Sequence, residues 1–203
     1  ASKQYPLCQI PPFPGKYFVK PRFGSASIGI DEESLCETWD EVIKKSELYF
    51  ARNIDIIVEQ YISGICYGVS LLNTPERKPL VAVPHYTISD KIGNIMTYSQ
   101  KRFVQKGMNR NISDNESINK QLEYLALKYF ESMQPCDYAR IDFILEEHSL
   151  TPYFLEVNVL MNLGIHGGFV ESFLHSHFQT YEDLINHIVK LGLSKVDNSN
   201  LAS

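Results

Sequence analysis

"YARIDFILEEHSLTPYFLEVN" spans residues 138–158. Apolar and polar residues alternate from Tyr138, a polar patch intervenes, and alternation resumes up to Asn158. That is the pattern of two half-buried strands joined as a hairpin. One side of each arm is apolar: Ile141, Phe143 and Leu145, then Leu155 and Val157. The other side carries Arg140 and Asp142, then Glu156 and Asn158. With the turn centred near Ser149, Asp142 faces Glu156 and Arg140 faces Asn158.

Directly opposed side chains on one face of a hairpin lie roughly 5 Å apart. Two carboxylates that close repel, and one of them would be driven towards its neutral form. A divalent cation between them removes the conflict. Two carboxylates and an amide oxygen form a hard donor set, suited to Mg2+ or Mn2+ rather than zinc. Magnesium held by few protein ligands normally takes substrate phosphates as well. A solvated hairpin face that happens to be charged fits the same pattern, and a slip of one residue would undo the pairing.

The rest of the chain narrows the choice. It has 203 residues, enough for one large domain or two small lobes. The net charge of −5 does not suggest a nucleic-acid or anionic-membrane partner. Cys8, Cys36, Cys66 and Cys136 are widely spaced and form no CxxC pair, so neither a zinc site nor a disulfide framework is expected. No apolar run approaches a membrane span and no signal peptide is present, so a cytoplasmic protein is expected. The proline-rich start leads straight into a strand, and something is expected to precede Ala1.

The spacing predicts strands at 16–20, 53–62, 65–73 and 79–86, and helices over 31–52, 113–134 and 180–193. Ser113 or Asp114 is expected to cap the second helix, and Thr180 with Asp183 the third. Residues 87–111 read as a long polar loop and 194–203 as a tail. "FVKPRFGSASIGI" places Lys20 at the end of a strand, followed by the small-residue loop Gly24–Gly29. Small residues let backbone N–H groups approach an anion, Ser25 and Ser27 add hydroxyl donors, and a lysine supplies a point charge for phosphate. The loop is neither a P-loop nor a dinucleotide fingerprint, and a plain flexible turn would look similar.

Three pieces now stand in one order: "FVKPRFGSASIGI", "IIVEQYISG" and "RIDFILEE…YFLEVN". Together they resemble the ATP-grasp superfamily, most closely its D-alanine–D-alanine ligase branch. The resemblance implies an α+β ATP-grasp fold of two lobes clasping ATP, a small one over 1–62 and a larger one over 63–203, with the N-terminal substrate domain absent from this chain. It implies an ATP-dependent carboxylate–amine ligase that works through an acylphosphate; the alternative is an ATP-binding module or remnant that does not ligate. Lys20 would contact phosphates, and Ser25, Ala26 and Ser27 would close over them. Glu59, Gln60, Tyr61 and Ile62 would form the adenine hinge. Lys101 would reach the γ-phosphate, Arg140 would stabilise charge at the reacting carboxylate, and Asp142, Glu156 and Asn158 would hold Mg2+ or Mn2+. The expected partners are ATP and small carboxylate and amine substrates, with room for a homodimer or for association with a separate N-terminal domain. The chain taken alone need not be active.

Two departures stand out. Cys66 occupies the position where these ligases commonly carry a glutamate that holds the ribose. After Asn158 the usual proline-glycine turn is replaced by "VLMNLGIHGGF", and Gly167 stands near where a substrate-clamping serine is expected. Substrates other than two D-alanines are therefore expected.

Overall fold

The computed structural model describes residues 1–2, 7–98, 100 and 108–200. The chain divides into two compact units, Ala1–Gly64 with Ile88–Asn109 and Ile65–Thr87 with Arg110–Ser203. A single cut after Ile62 does not describe this division, because the 88–109 segment belongs with the first unit. Local bonds tie it there: the Tyr61 hydroxyl donates to the Gly93 carbonyl at 2.8 Å, and Lys91 pairs with Glu32 at 2.7 Å.

The first unit is built on a three-stranded antiparallel sheet. Its central strand, β1 (Tyr17–Pro21), lies between β2 (Leu35–Cys36) and β3 (Ile56–Gln60). Helix α1 (Trp39–Ala51) packs on this sheet, burying Val42 and Tyr49 with Tyr17, Val19, Cys36 and Ile56. The stretch before it is not helical, contrary to the sequence expectation. Glu32–Ser34 form a 3-10 turn, Cys36 pairs with Tyr17, and the helix begins only after Thr38, whose side chain accepts from the Glu41 N–H at 3.3 Å. The acids at 32 and 33 resemble a first helical turn, but strand pairing holds residues 35 and 36 extended.

A six-stranded sheet carries the second unit, with β4 (Gly64–Asn73) at its centre and β5 (Pro79–Val81) paired to one end of β4. The remaining strands are β6 (His85–Ser89), β7 (Met108–Ile112), β8 (Tyr138–Glu146) and β9 (Pro152–Asn158), in the order β7-β6-β4-β8-β9. Strands β5 and β6 replace the single strand expected over 79–86, and both β6 and β7 extend into the segment expected to be a loop.

Both faces of β4 are covered. Helix α2 (Glu116–Ser132) lays Leu122, Ala126 and Phe130 against Tyr67, Val69, Leu71, Ile141 and Phe143. Helices α3 (Gly168–Ser176) and α4 (Tyr181–Asn200) bring Phe169, Phe173, Leu184 and Leu191 against Leu72 and Ala82 on the opposite face. The cap of α2 is Asn115 rather than Ser113 or Asp114: its side chain accepts from the Ser117 and Ile118 N–H groups at 3.2 Å. Ser113 is still part of the sheet region, its N–H bonded to the Pro84 carbonyl. The Thr180 hydroxyl and Asp183 bond reciprocally as expected, at 2.8 and 3.1 Å, and α4 continues to Asn200 where a tail was expected.

Candidate functional site

The hairpin has the expected register at its polar end. Arg140 faces Asn158, Ile141 faces Val157 and Asp142 faces Glu156. A bulge follows: Phe143 faces Phe154, leaving Leu155 as the extra residue. The bulge exchanges the two faces of β9 beyond that point. Phe154 thereby lies on the Phe143 side and stacks on Tyr129 of α2 with ring centroids 4.6 Å apart, one edge still exposed, while Leu155 is half-buried.

On the polar side four side chains meet. Arg140 grips Asp142 with two donors, Nε to Oδ1 at 2.6 Å and Nη2 to Oδ2 at 2.7 Å. The Asn158 amide nitrogen donates to both carboxylates, to Asp142 Oδ2 at 2.9 Å and Glu156 Oε1 at 3.1 Å. Burial works against the Arg140 charge, but its bonds to Asp142 and the nearby Glu156 carboxylate prevail and raise its pKa. Among the described residues no group of three or more His, Cys, Asp or Glu side chains gathers to hold a metal. The group here is two carboxylates and an amide. It suits a hard divalent cation: the amide donor already bridges the two anions, and a half-turn of that amide presents Oδ1 in the same place.

In the first unit, Lys20 and Glu59 form an ion pair at 2.8 Å. Phe18 faces Glu59 and Lys20 faces Ile57 across β1 and β3, so the pair is a diagonal one on a shared face. Gln60 faces Tyr17, the Tyr61 N–H bonds the Lys16 carbonyl, and Ile62 follows half-buried. Ser25, Ala26 and Ser27 form the tip of a tight loop, in which the Ile28 N–H bonds the Ser25 carbonyl and the Ile30 N–H the Ser27 carbonyl. Ala26 and Ser27 take φ of 52° and 58°, a left-handed conformation costly for residues with a side chain. Successive backbone N–H groups in such a turn can face an anion. The loop's far end is tied down by the Tyr49 hydroxyl, which donates to the Gly29 carbonyl, and by Lys45, which holds both Asp31 oxygens at 2.6 and 2.7 Å. Lys101 lies outside the described residues.

The loop beyond β9 is closed on itself. Asn162 Oδ1 accepts from the Gly164 N–H, and the Gly167 N–H bonds the Gly164 carbonyl. A Cβ at Gly167 would stand 2.4 Å from the Asn162 carbonyl oxygen, so this loop path has no room for a serine there. Arg110 of β7 donates to the His166 carbonyl at 2.9 Å and to Glu171 at 3.2 Å.

One cluster has no counterpart in the sequence reading. His85, only 5 % exposed, lies beside Arg140, with Nδ1 3.0 Å from the Ser172 hydroxyl of α3. Burial, together with the charges of Arg140 and Arg110, lowers its pKa to about 3, so the ring is neutral. Its sequence signal was a histidine in an apolar run opposite a glycine, too faint to single out.

The antiparallel α+β architecture, together with the family whose model the chain matches, places it in the ATP-grasp class. The chain belongs to the family described as D-ala D-ala ligase C-terminus, whose model matches residues 9–190. Among its relatives, the D-alanine–D-alanine ligase of Desulforamulus reducens is 28% identical over 182 residues, covering 87% of this chain and 54% of the relative. D-alanine–D-alanine ligase B of Clostridium perfringens is 26% identical over 182 residues, covering 88% and 55%. The chain thus spans about half the length of these curated relatives. Among solved structures, the Bacillus anthracis D-alanine–D-alanine ligase complexed with ATP superposes with a TM-score of 0.71 at 17% identity, over 97% of this chain and 60% of that one. The VanG D-Ala:D-Ser ligase of Enterococcus faecalis gives 0.66 at 17% identity, over 86% and 49%. Among the described residues no helix is long and apolar enough to cross a membrane.

Proposed function

We propose that the protein is an ATP-dependent carboxylate–amine ligase, of which this chain is the part that binds nucleotide and metal. The observation that carries the reading is the pairing of Asp142 with Glu156 across the hairpin, bridged by Asn158 and flanked by Arg140. Nothing in the packing of the hairpin calls for two opposed acids. Mg2+ or Mn2+ held there by Asp142, Glu156 and Asn158 would neutralise phosphate charge. Lys20 and the N–H groups around Ser25–Ser27 provide anion-binding groups in the first unit, and the segment Glu59–Ile62 is the proposed adenine contact. Lys20 is released from Glu59 when phosphate takes its place.

The chemistry follows from the electrophile. A carboxylate resists attack by an amine until an oxygen is made a leaving group. Transfer of the γ-phosphoryl group gives an acylphosphate and ADP; the amine then attacks the carbonyl carbon, phosphate leaves with the acyl oxygen, and the amine loses a proton. Arg140, held rigid by Asp142, stabilises negative charge at the reacting carboxyl oxygen. Such catalysis is mostly positioning and electrostatics. The proposed substrates are not two D-alanines, because the loop over 159–167 has no hydroxyl at Gly167 and cannot gain one without moving Asn162.

The test is phosphate release by the intact protein with Mg·ATP across a panel of amino acids and amines. Turnover with at least one pair, abolished by Asp142→Asn, is expected. Efficient turnover with D-alanine alone would refute the substrate assignment. Nucleotide binding without turnover across the panel would leave an ATP-binding module.

A further inference from the structure

His85 has a place that only two glycines make available. It faces Gly68 across β6 and β4. A Cβ on Gly68 would stand 2.6 Å from His85 Cε1, 2.7 Å from Nε2 and 3.1 Å from Arg140 Cδ. A Cβ on Gly168, the first residue of α3, would stand 2.6 Å from the same Nε2 and 3.1 Å from Arg110 Nε. Neither glycine has a positive φ, so backbone conformation does not require glycine at either place. The requirement is room for one ring.

An apolar side chain would fill such a space at lower cost, since a buried imidazole must be desolvated. What the imidazole adds is a set of simultaneous contacts. The ring and the aliphatic stem of Arg140 border the same space over Gly68, while Asp142 holds the guanidinium at the other end. Its Nδ1 bonds Ser172, one turn into α3, and its Nε2 edge fills the space where a side chain on the helix's first residue would stand. Being neutral, it adds no positive charge beside Arg140 and Arg110. A lysine or arginine there would repel both.

We propose that His85 is a positioning residue of the ligase reaction, fixing the stem of Arg140 and the first turn of α3 relative to one another. This rests on the reading that Arg140 acts on the reacting carboxylate. Misplacement of a charge-stabilising group by about 1 Å is enough to cost on the order of 100-fold in turnover.

The test uses the intact protein and separates filling from positioning. His85→Ala vacates the space, and a second change, Gly68→Ala, puts a methyl back into it. The double variant is expected to recover most of the thermal stability lost in the single one. Its kcat is expected to stay at least roughly tenfold below wild type, with KM for ATP within about twofold. Recovery of kcat together with stability would show the ring to be filler and overturn the proposal. A second readout does not depend on turnover. In protein labelled with 15N-arginine, the Arg140 Nε–H, assigned through Arg140→Lys, is expected to exchange with solvent severalfold faster in His85→Ala, which adds no group beside Arg140, than in wild type. Unchanged exchange overturns the positioning role even if no substrate pair is ever found. Faster exchange in a protein without ligase turnover upholds the positioning role and refutes only the assigned reaction.

Discussion

At the scale of single residues, charge and room decide what the second unit tolerates. His85 has a pKa of about 3 in the fold, against an ordinary value near 6.5. Burial is the main cause, and Arg140 and Arg110 add to it. Between those values the unfolded chain binds a proton that the folded chain refuses. Stability is therefore full above the unfolded pKa and falls as pH drops from about 6.5 towards 3, by up to about 1.4 kcal/mol per pH unit from this group. Urea unfolding at pH 7 and pH 4.5 is expected to show a smaller loss of stability on acidification for His85→Leu than for wild type; equal losses would remove His85 as a source of acid sensitivity. Arg140, Asp142, Glu156 and Asn158 were legible in the sequence because polar residues at alternate positions declare a common face. His85 was not, because its significance depends on Gly68, Arg140 and Gly168, which are distant in the chain and carry no periodic signal.

At the scale of elements, the hairpin shows how far alternation can be trusted. It gave the register from Arg140 to Asp142 and missed the extra residue at Leu155, since a bulge has no fixed side-chain mark. Deleting Leu155 would leave Phe154 opposite Phe143 and Glu156 opposite Asp142, with ordinary alternation between them. That variant is expected to fold and to melt within a few degrees of wild type. Deleting Phe154 instead would lose the stack on Tyr129 and the edge contact with Phe143. Its expected cost is larger, on the order of 1–3 kcal/mol including the aromatic pair. A Leu155 deletion less stable than the Phe154 deletion would show that the bulge itself is required. The start of α1 was misread for a related reason: Glu32 and Glu33 favour a first helical turn locally, and tertiary pairing of Cys36 with Tyr17 overrides them.

At the scale of the whole molecule, the ATP-grasp class was legible because three motifs occur in one order over most of the chain. The division into units was not, since no composition change marks where residues 88–109 leave one and join the other. The loop Gly24–Gly29 is internally bonded at its tip and anchored at its far end. Its amides are expected to exchange quickly in hydrogen exchange and to slow on addition of Mg·ATP to the intact protein. Equal exchange with and without nucleotide would count against a phosphate role for this loop.

The backbone passes from one unit to the other three times, after Gly64, Thr87 and Asn109. Each unit is therefore assembled from two separate stretches of the gene. No single recombination breakpoint can transplant either unit whole, and a chimera joined at residue 64 inherits a first unit whose 88–109 segment comes from the other parent. Exchange of substrate preference between relatives should accordingly proceed by replacing loops within the units, such as 159–167, more readily than by shuffling the units themselves.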